Sequence, residues 1–244
     1  MTVDESATIT ANGCRDLDIF CHQITQETGI PLSIIPGAND PTTANWPQRP
    51  VHASLIPVSI NSCNSTAVLS RCPNPYAATF NVENQTKRYI LGSDGTNVAD
   101  WLKQSKRNRP VSIIGTGGTE SSNTELDALH ATLAHQHMCP TGPDTVPTAP
   151  HIEIDPMVMT MYNTKENDSS TTTSPYPTLY FAGNRTQFQT KLVTVNVPDT
   201  TNNTNASDMD CRLVCIPKFS ETSIAVLVNL NTMQTELLKF DSTA

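Results

Sequence analysis

The sequence has few charged and few aromatic side chains. Charged residues make up 16% and aromatic residues 5% of the 244 positions, against about 25% charged residues in an average soluble domain. The formal net charge is −8, and no basic arm is present. Because nucleic-acid affinity comes largely from basic groups that neutralise phosphates, this charge argues against DNA or RNA binding as the main activity.

Long hydrophobic runs and catalytic motifs are also missing. No stretch approaches the roughly 18 apolar residues of a membrane-spanning helix, so we expect no membrane span. The first thirty residues also lack the basic stretch followed by an apolar stretch that is typical of an export signal. Gly-x-Ser-x-Gly, HExxH and P-loop motifs are absent, which removes the usual signatures of serine hydrolases, zinc proteases and NTPases. The 7 cysteines form no CxxC pair, and an odd number favours free thiols over a disulfide framework.

The chain is rich instead in Thr (34), Asn (20), Ser (19) and Pro (18). Thr favours the extended backbone, and Asn, Ser and Pro favour turns, so this composition predicts many strands joined by long uncharged loops. Twelve strand-like runs are present, which we count as about ten or eleven strands because two neighbouring runs, His151–Ile154 and Met157–Tyr162, are separated only by a kink at Pro156. They include Val51–Ile60, Ala67–Ser70, Ala77–Val82, Arg88–Leu91, Val111–Ile114, His151–Ile154, Met157–Tyr162, Thr178–Ala182, Gln187–Val197, Cys211–Ile216, Ser223–Leu230 and Thr232–Phe240. The predicted fold is mostly β, an antiparallel β-sandwich or jelly roll.

Two or three short helices are predicted among these strands. Leu17, Phe20, Cys21 and Ile24 have helical spacing and Gly29 follows as a stop. Asn97–Lys106 is the second helix, and a capping box at Ser122–Glu125 opens a third that reaches His135. We expect an N-terminal arm at residues 1–50 and one sandwich domain at residues 51–244.

Four potential metal ligands lie within ten residues: His130, His135, His137 and Cys139. On a strand the last three would share one face, as a Zn or Cu site needs. The capping box and the leucine spacing favour a helix end, where His137 turns away and the helix dipole alone favours histidine. We therefore predict no catalytic residue, metal or cofactor, and keep these four as the candidate metal ligands.

A glycine-rich turn at Gly115–Gly118 follows a predicted strand and precedes a helix. Thr116–Thr119 resembles the TGGT loop of bacterial-type asparaginases, which implies a nucleophilic threonine in an α/β enzyme. Glu120 and Ser121 depart from the residues that follow TGGT in that family, and its second motif is not found. A plain turn is the favoured interpretation, with an α/β enzyme as a lesser alternative.

Four basic residues, Lys103, Lys106, Arg107 and Arg109, end the second helix or follow it. They predict at most a weak nucleic-acid contact, and a solvated helix end is the favoured interpretation.

The strand runs, the paired helices Asn97–Lys106 and Ser122–His135, and the long loops resemble the single-jelly-roll capsid subunits of picorna-like viruses. The resemblance implies a non-enzymatic subunit that assembles an icosahedral shell with copies of itself or other capsid proteins. One variant of this expectation is an outer subunit that decorates the shell. It also implies assembly in the host cytoplasm, a place in the virion, and receptor contacts through loops 140–150 and 163–177. Six Asn-x-Ser/Thr sequons leave a secreted or surface β-sandwich glycoprotein or adhesin as the alternative.

Overall fold

The computed structural model describes residues 3–62, 68–82, 87–107, 124–148, 176–197 and 207–241. The chain divides into two compact units, Met1–Asn74 and Pro75–Ala244, which we call the first and second units. The expected division into an arm at 1–50 and a sandwich at 51–244 stays a prediction about folding domains.

The first unit begins with a long helix, α1 (Val3–Gln23), which continues as a π-helical segment, Ile24–Thr28. Gly29 ends it with a φ of 67°, a left-handed conformation that glycine adopts without strain. The remaining elements are β1 (Leu32–Ile34), a 3₁₀ turn (Ala53–Leu55), α2 (Pro57–Ser62) and β2 (Leu69–Arg71). β1 and β2 pair in parallel, with Leu32 opposite Leu69.

A small apolar cluster joins the helices and strands of the first unit. Its buried members are Cys21, Ile56 and Leu69, and the partly buried Leu32, Ile34 and Ile60 pack against them. Asp18 adds a polar tie, because its carboxylate accepts hydrogen bonds from the Val58 and Ser59 N–H groups at 2.8 Å each. These two N–H groups open α2 and have no partner within that helix, so α1 supplies the cap of α2.

The second unit is a mixed α/β structure. Its elements are β3 (Tyr76–Asn81), β4 (Lys87–Ser93), α3 (Thr96–Arg107), α4 (Glu125–Ala134), β5 (Leu179–Arg185), β6 (Gln189–Val197), β7 (Ser207–Pro217), α5 (Phe219–Thr222), β8 (Ile224–Val228) and β9 (Thr235–Lys239). Five strands form one sheet in the order β3-β4-β5-β7-β6. The central strands β4, β5 and β7 are parallel, and the edge strands β3 and β6 run antiparallel to their neighbours.

Most of the buried residues of this sheet lie on its parallel strands. Ile90, Leu179 and Val214, one from each parallel strand, form the centre of an apolar cluster. Helix α4 contributes the buried Leu129 and Leu133, and its Thr132 hydroxyl is 3.0 Å from the Tyr180 hydroxyl on β5. Parallel strands are normally covered in this way, because their crossover helices lie on the faces of the sheet.

The β8–β9 hairpin is attached to the five-stranded sheet by two arginines. Arg88 on β4 donates from Nε to the Leu230 carbonyl oxygen at 3.0 Å and from Nη2 to the Asn231 carbonyl oxygen at 3.2 Å. Arg212 on β7 donates from Nε to the Met233 carbonyl oxygen at 2.8 Å. Val226 and Val228 of the hairpin also pack against the apolar cluster of the sheet. The hairpin is thus held by charge-assisted hydrogen bonds to its turn as well as by side-chain packing.

Several of the predicted elements are confirmed. The helix that carries Leu17 and Phe20, the helix at Asn97–Lys106 and the strands from Thr178 onward all form, with bounds shifted by a few residues. The capping box is present two residues later than predicted, between Thr124 and Asp127. Val111–Ile114, His151–Ile154 and Met157–Tyr162 lie outside the described residues.

The predicted jelly roll is wrong. A jelly roll consists of antiparallel strands in two packed sheets, whereas this sheet has three parallel strands at its centre and helices between them. The predicted strand Val51–Ile60 is also wrong, because the 3₁₀ turn and α2 occupy it. Pro57 at the first position of α2 suits a helix start, and the cap comes from the distant Asp18. In the described part of the chain, no helix has the length and apolar character needed to cross a membrane.

We expect Asp18→Ala to lower the free energy of unfolding by about 1–2 kcal/mol, since it removes the cap of α2. Burial alone raises the pKa of Asp18, but the hydrogen bonds from Ser59 and Val58 outweigh burial and hold the pKa below its usual value. The stabilisation is therefore present at neutral pH and is lost as the pH falls through this lowered pKa. Urea unfolding at pH 7 and at pH 3 measures both effects. The exposed neighbour variant Asp16→Ala is the control, and an equal loss in both variants contradicts the capping role.

Candidate functional site

Ligands of open α/β sheets bind beyond the carboxyl ends of the parallel strands, where helices begin. In the second unit this edge is formed by the ends of β4 and β5, and helices α3 and α4 contribute side chains to it. The candidate site is therefore the polar cluster at this edge, which we call the edge cluster and which consists of Ser93, Asp94, Asn97, Glu125, Arg185 and Thr186.

The turn from β4 into α3 is closed by its own side chains. The Ser93 hydroxyl donates to Asn97 Oδ1 at 2.8 Å and accepts from the Gly95 N–H at 3.2 Å. Asn97 Nδ2 donates to the Met138 carbonyl oxygen, so it ties this turn to the segment after α4. Ser93 and Asn97 are both fully buried, and each has its polar atoms satisfied within the protein.

A carboxylate already lies at the amino end of α3. Asp94 accepts from the Thr96 N–H at 3.2 Å and from the Thr96 hydroxyl. The first N–H groups of a helix attract anions, and here a side chain of the protein itself fills that role. The position where a phosphate would bind is therefore taken by Asp94.

Arg185 places a buried positive charge at the end of β5. The residue is only 6% exposed, and its Nε donates to the Gly183 carbonyl oxygen at 2.8 Å. Its Nη1 lies 3.5 Å from Glu125 Oε1 on α4. Burial lowers the pKa of Arg185 and the nearby Glu125 carboxylate opposes that shift, so the guanidinium stays charged at neutral pH.

Glu125 joins α4 to the same edge. Its Oε2 accepts from the Thr186 N–H and from the Thr186 hydroxyl, each at 3.0 Å, while its Oε1 faces Arg185. Both carboxylate oxygens are thereby engaged. A general base or a metal ligand would need a carboxylate oxygen that can reach a substrate or an ion.

Gly95 is required for the close approach of the two strand ends. Its φ is 91°, and a Cβ at this position would lie 2.1 Å from the Gly183 carbonyl oxygen and 2.6 Å from Arg185 Nε. Both distances are far inside van der Waals contact. At Gly95 the turn after β4 is therefore packed against the backbone and side chain at the end of β5.

Two buried thiols lie on β7: Cys215 pairs with Ala182 near this edge, and Cys211 lies level with the amino end of β5. Burial raises the pKa of Cys215 to about 12, with a further rise from Glu125, and burial raises the pKa of Cys211 to about 12. Only the thiolate reacts as a nucleophile. At neutral pH both thiols are protonated and pack as small apolar groups.

The structure does not gather the four candidate metal ligands. His130 is half-buried on α4, the exposed His135 packs its ring 6.1 Å from that of Trp101, and His137 accepts at Nδ1 from the Cys139 N–H. Cys139 is buried. Within the described ranges, no group of three or more His, Cys, Asp or Glu residues is arranged to hold a metal ion. The prediction that the chain has no catalytic residue and no metal ligand stays a prediction.

The other candidate sites lie partly outside the described residues. Lys103 is exposed on α3 and Lys106 and Arg107 belong to the same helix, but Arg109 and the glycine-rich turn at 115–118 are outside the described ranges, as are residues 149–150 and 163–175 of the two predicted receptor loops. In the described part of loop 140–150, the Thr145 hydroxyl donates to Asp100 on α3. That part of the loop is thus attached to a helix.

The edge cluster was not predicted from the sequence. A local signal exists at Gly183-Asn184-Arg185, because a glycine and polar residues directly follow the apolar run of β5 and Asn184 has a φ of 51°. The partner Glu125 lies far away along the sequence. No local pattern in a single sequence links two such residues, since their pairing depends on the order of strands in the sheet.

Replacing Arg185 with Met should lower the free energy of unfolding by up to about 3 kcal/mol, because it leaves the half-buried Glu125 carboxylate without an opposite charge beside it. The double variant Arg185→Met/Glu125→Leu should lose less than the single variant, since no uncompensated charge remains. The exposed Lys218–Glu221 pair, at 2.6 Å, supplies the control Lys218→Met, which should cost less than about 1 kcal/mol. Denaturant unfolding measures all three, and equal losses from Arg185→Met and Lys218→Met would contradict the role of the buried pair.

Thiol labelling should distinguish the buried cysteines from the partly exposed ones. Cys14 is half-buried, and Cys211 and Cys215 are buried. With an aromatic disulfide reagent at pH 8, we expect Cys14 to react in the folded protein and Cys211 and Cys215 to react only in denaturant. Mass spectrometry of peptides locates the label. Rapid labelling of Cys215 in the folded protein would show that the edge is open.

Comparison with known proteins identifies relatives along most of the chain. The family model for the B subunit of DNA polymerases alpha and epsilon matches residues 4–191. The "DNA polymerase delta small subunit" of Arabidopsis thaliana is 29% identical over 228 residues, which are 93% of this chain and 40% of the relative. "DNA polymerase delta subunit 2" of Drosophila melanogaster is 28% identical over 86% of this chain and 38% of the relative. The "DNA polymerase delta small subunit" of Saccharomyces cerevisiae is 25% identical over 91% of this chain and 41% of the relative.

The chain spans about two fifths of the length of these curated relatives. They overturn the resemblance to a viral capsid protein, and with it the predicted capsid partners, the receptor contacts, the virion location and the assembly in a host cytoplasm. The physical reason for the error is that Thr, Asn and Pro report strands and loops of any kind, not a particular arrangement of strands. The match to the family model extends over more than half of the sequence, and this chain belongs to the family of DNA polymerase alpha/epsilon B subunits.

Proposed function

We propose that this chain is part of a non-catalytic accessory subunit of a DNA polymerase of the delta type, and that it acts by binding other subunits of the polymerase. The observation that carries the proposal is the match of residues 4–191 to the family of polymerase B subunits. The delta type is favoured because small subunits of delta polymerases from plants, an insect and a yeast align with 86–95% of the chain.

The edge cluster supports a non-catalytic role. Catalysis at the carboxyl edge of a parallel sheet needs groups that can reach a substrate. Here Asp94 caps α3, Glu125 binds Arg185 and Thr186, and the Cys215 thiol is protonated. These groups stabilise the fold and leave no acid, base or nucleophile directed outward among them.

The net charge of the chain favours a protein partner over direct binding to DNA. With 15 basic and 23 acidic residues, the chain would repel a phosphate backbone over most of its surface. Protein interfaces need no excess of positive charge. A polymerase subunit of this charge would contribute by assembling and positioning the subunits that hold DNA.

The partner we propose is the catalytic subunit of the same polymerase, together with its further accessory subunits. Replicative polymerases copy chromosomal DNA, so the place of action we propose is the nucleus. Both statements rest on the relatives described as delta small subunits.

The test is co-expression of the chain with the tagged delta catalytic subunit of the same organism. We expect the two to co-purify at equal stoichiometry in about 0.3 M salt, where purely electrostatic contacts are screened. The epsilon and alpha catalytic subunits, tested in parallel, should retain less of the chain.

The purified chain alone should show no polymerase activity and no phosphoester hydrolysis, with or without Mn²⁺. Failure to co-purify with any of the three catalytic subunits contradicts the proposed binding. Hydrolysis by the wild-type chain that is lost in Arg185→Met would contradict the non-catalytic role of the edge cluster.

A further inference from the structure

Strand β3 forms one edge of the five-stranded sheet, and no described strand lies beyond it. The Thr178 N–H donates to the Tyr89 carbonyl oxygen at 2.8 Å, so the backbone groups of Tyr89 point toward β5. Thr79 is opposite Tyr89 on β3, and paired residues of an antiparallel ladder alternate between bonding each other and pointing apart. The N–H and C=O of Thr79 therefore point away from β4. The same alternation directs the backbone groups of Ala77 and Asn81 to the open edge.

This edge lacks the features by which proteins normally prevent an edge strand from pairing with another chain. Such features are charged side chains, proline, bulges or a covering element. β3 (Tyr76–Asn81) contains no charged residue and no proline, and its register with β4 is continuous. Its Ala77, Thr79 and Phe80 side chains are exposed. The opposite edge strand, β6, carries the exposed Lys191, so β3 is the less protected of the two edges.

The outward backbone groups of β3 are complementary to those of an antiparallel copy. A twofold axis at Thr79 pairs this residue with the partner's Thr79 and pairs Ala77 with the partner's Asn81. All three outward residues then face outward residues and exchange both backbone hydrogen bonds. An axis at Ala77 would instead place Thr79 opposite the partner's Pro75, which has no N–H to donate. The sequence of the strand therefore selects the register centred on Thr79.

The side chains also fit this register. Phe80 is 40% exposed, and it would lie opposite the partner's Ala78, whose small side chain leaves room for the ring. Two threonines directly opposite each other form one of the favourable cross-strand pairs. No charged side chain of one β3 faces a charge of the other, although each copy has a net charge of −8. Repulsion between the two copies therefore comes from charges outside the strand, which salt screens.

We propose that two copies of this chain associate through β3, antiparallel and centred on Thr79, so that their five-stranded sheets join into one continuous sheet. The contact between two six-residue strands is small beside the interfaces of about 1,200–2,000 Å² that stable complexes bury. The dimer is therefore weak and reversible. This inference goes beyond the proposed function and does not depend on it.

The first test is sedimentation velocity of the full chain between about 5 and 300 μM, the range suited to a weak interface. We expect the dimer fraction to rise with protein concentration. Raising the salt from about 0.05 M to about 0.5 M should raise it further, because screening weakens the repulsion between two acidic copies. An ionic contact would respond in the opposite direction.

Amide hydrogen exchange locates the contact. The Thr79 amide should exchange more slowly at high protein concentration, because the dimer places it in a hydrogen bond. The Leu192 amide is the internal control. Leu192 is opposite Arg212, whose N–H donates to the Thr178 carbonyl oxygen on the other side of β7, so the Leu192 amide points to the open edge of β6. Its exchange should not change with concentration.

Variants of Thr79 separate the edge contact from general effects. Thr79→Pro removes the outward N–H without removing a bond to β4, a position where edge strands accept proline, and should abolish the dimer. Thr79→Lys places two like charges opposite each other and should also abolish it. Thr79→Val keeps the N–H and the branched shape, so it should dimerise as the wild type does. Thr194→Lys is the matched control, because it adds the same charge at an exposed position of β6 and should leave the dimer intact.

Circular dichroism shows which variants are folded, and Thr79→Lys serves if Thr79→Pro does not fold. Three results would overturn the inference: a monomer at every concentration, an equal loss of dimer in Thr79→Lys and Thr194→Lys, or slower exchange at Leu192 instead of Thr79. A monomer that still co-purifies with the catalytic subunit contradicts only the β3 dimer. A dimer that does not co-purify contradicts only the proposed partner.

Discussion

The guanidinium of Arg185 is a charge held almost entirely out of water. Elements from three parts of the second unit, namely α4, β5 and the turn between β4 and α3, pack against it. Removing such an ion from water costs several kcal/mol unless opposite charge and acceptors are placed against it. Glu125 from α4 and the Gly183 carbonyl of β5 supply them, and Gly95 allows the β4–α3 turn to approach. Two helices and two strands must therefore take fixed positions before the charge is compensated.

The same requirement explains why the usual ligand position of a parallel sheet contains protein here. The oxygens and nitrogens that a substrate would need are used to satisfy other groups of the fold, from Asp94 on Thr96 to Glu125 on Thr186. Such internal satisfaction ties the described groups of the edge to one another. It agrees with the non-catalytic role that we propose for this member of a family of polymerase subunits.

Local elements could be predicted from the sequence because their signals are local. The spacing of Leu17 and Phe20 and the stop at Gly29 predicted α1, and the apolar runs predicted most strands from β2 to β9. The direction of the strands could not be predicted in this way, since Ile90, Leu179 and Val214 have the same propensities in parallel and antiparallel pairs. Helix α2 was missed because its cap, Asp18, comes from another helix. The Arg185–Glu125 contact likewise depends on the strand order, so composition and spacing contain no trace of it.

The β8–β9 hairpin is attached to the five-stranded sheet through the backbone carbonyl groups of its turn. Arg88 and Arg212 bind the carbonyl oxygens of Leu230, Asn231 and Met233, which every amino acid carries. Substitutions in the turn therefore leave these anchors intact as long as the backbone keeps its course. We therefore expect side-chain substitutions in the turn to disturb the hairpin less than loss of either arginine, provided that the backbone of the turn keeps its conformation.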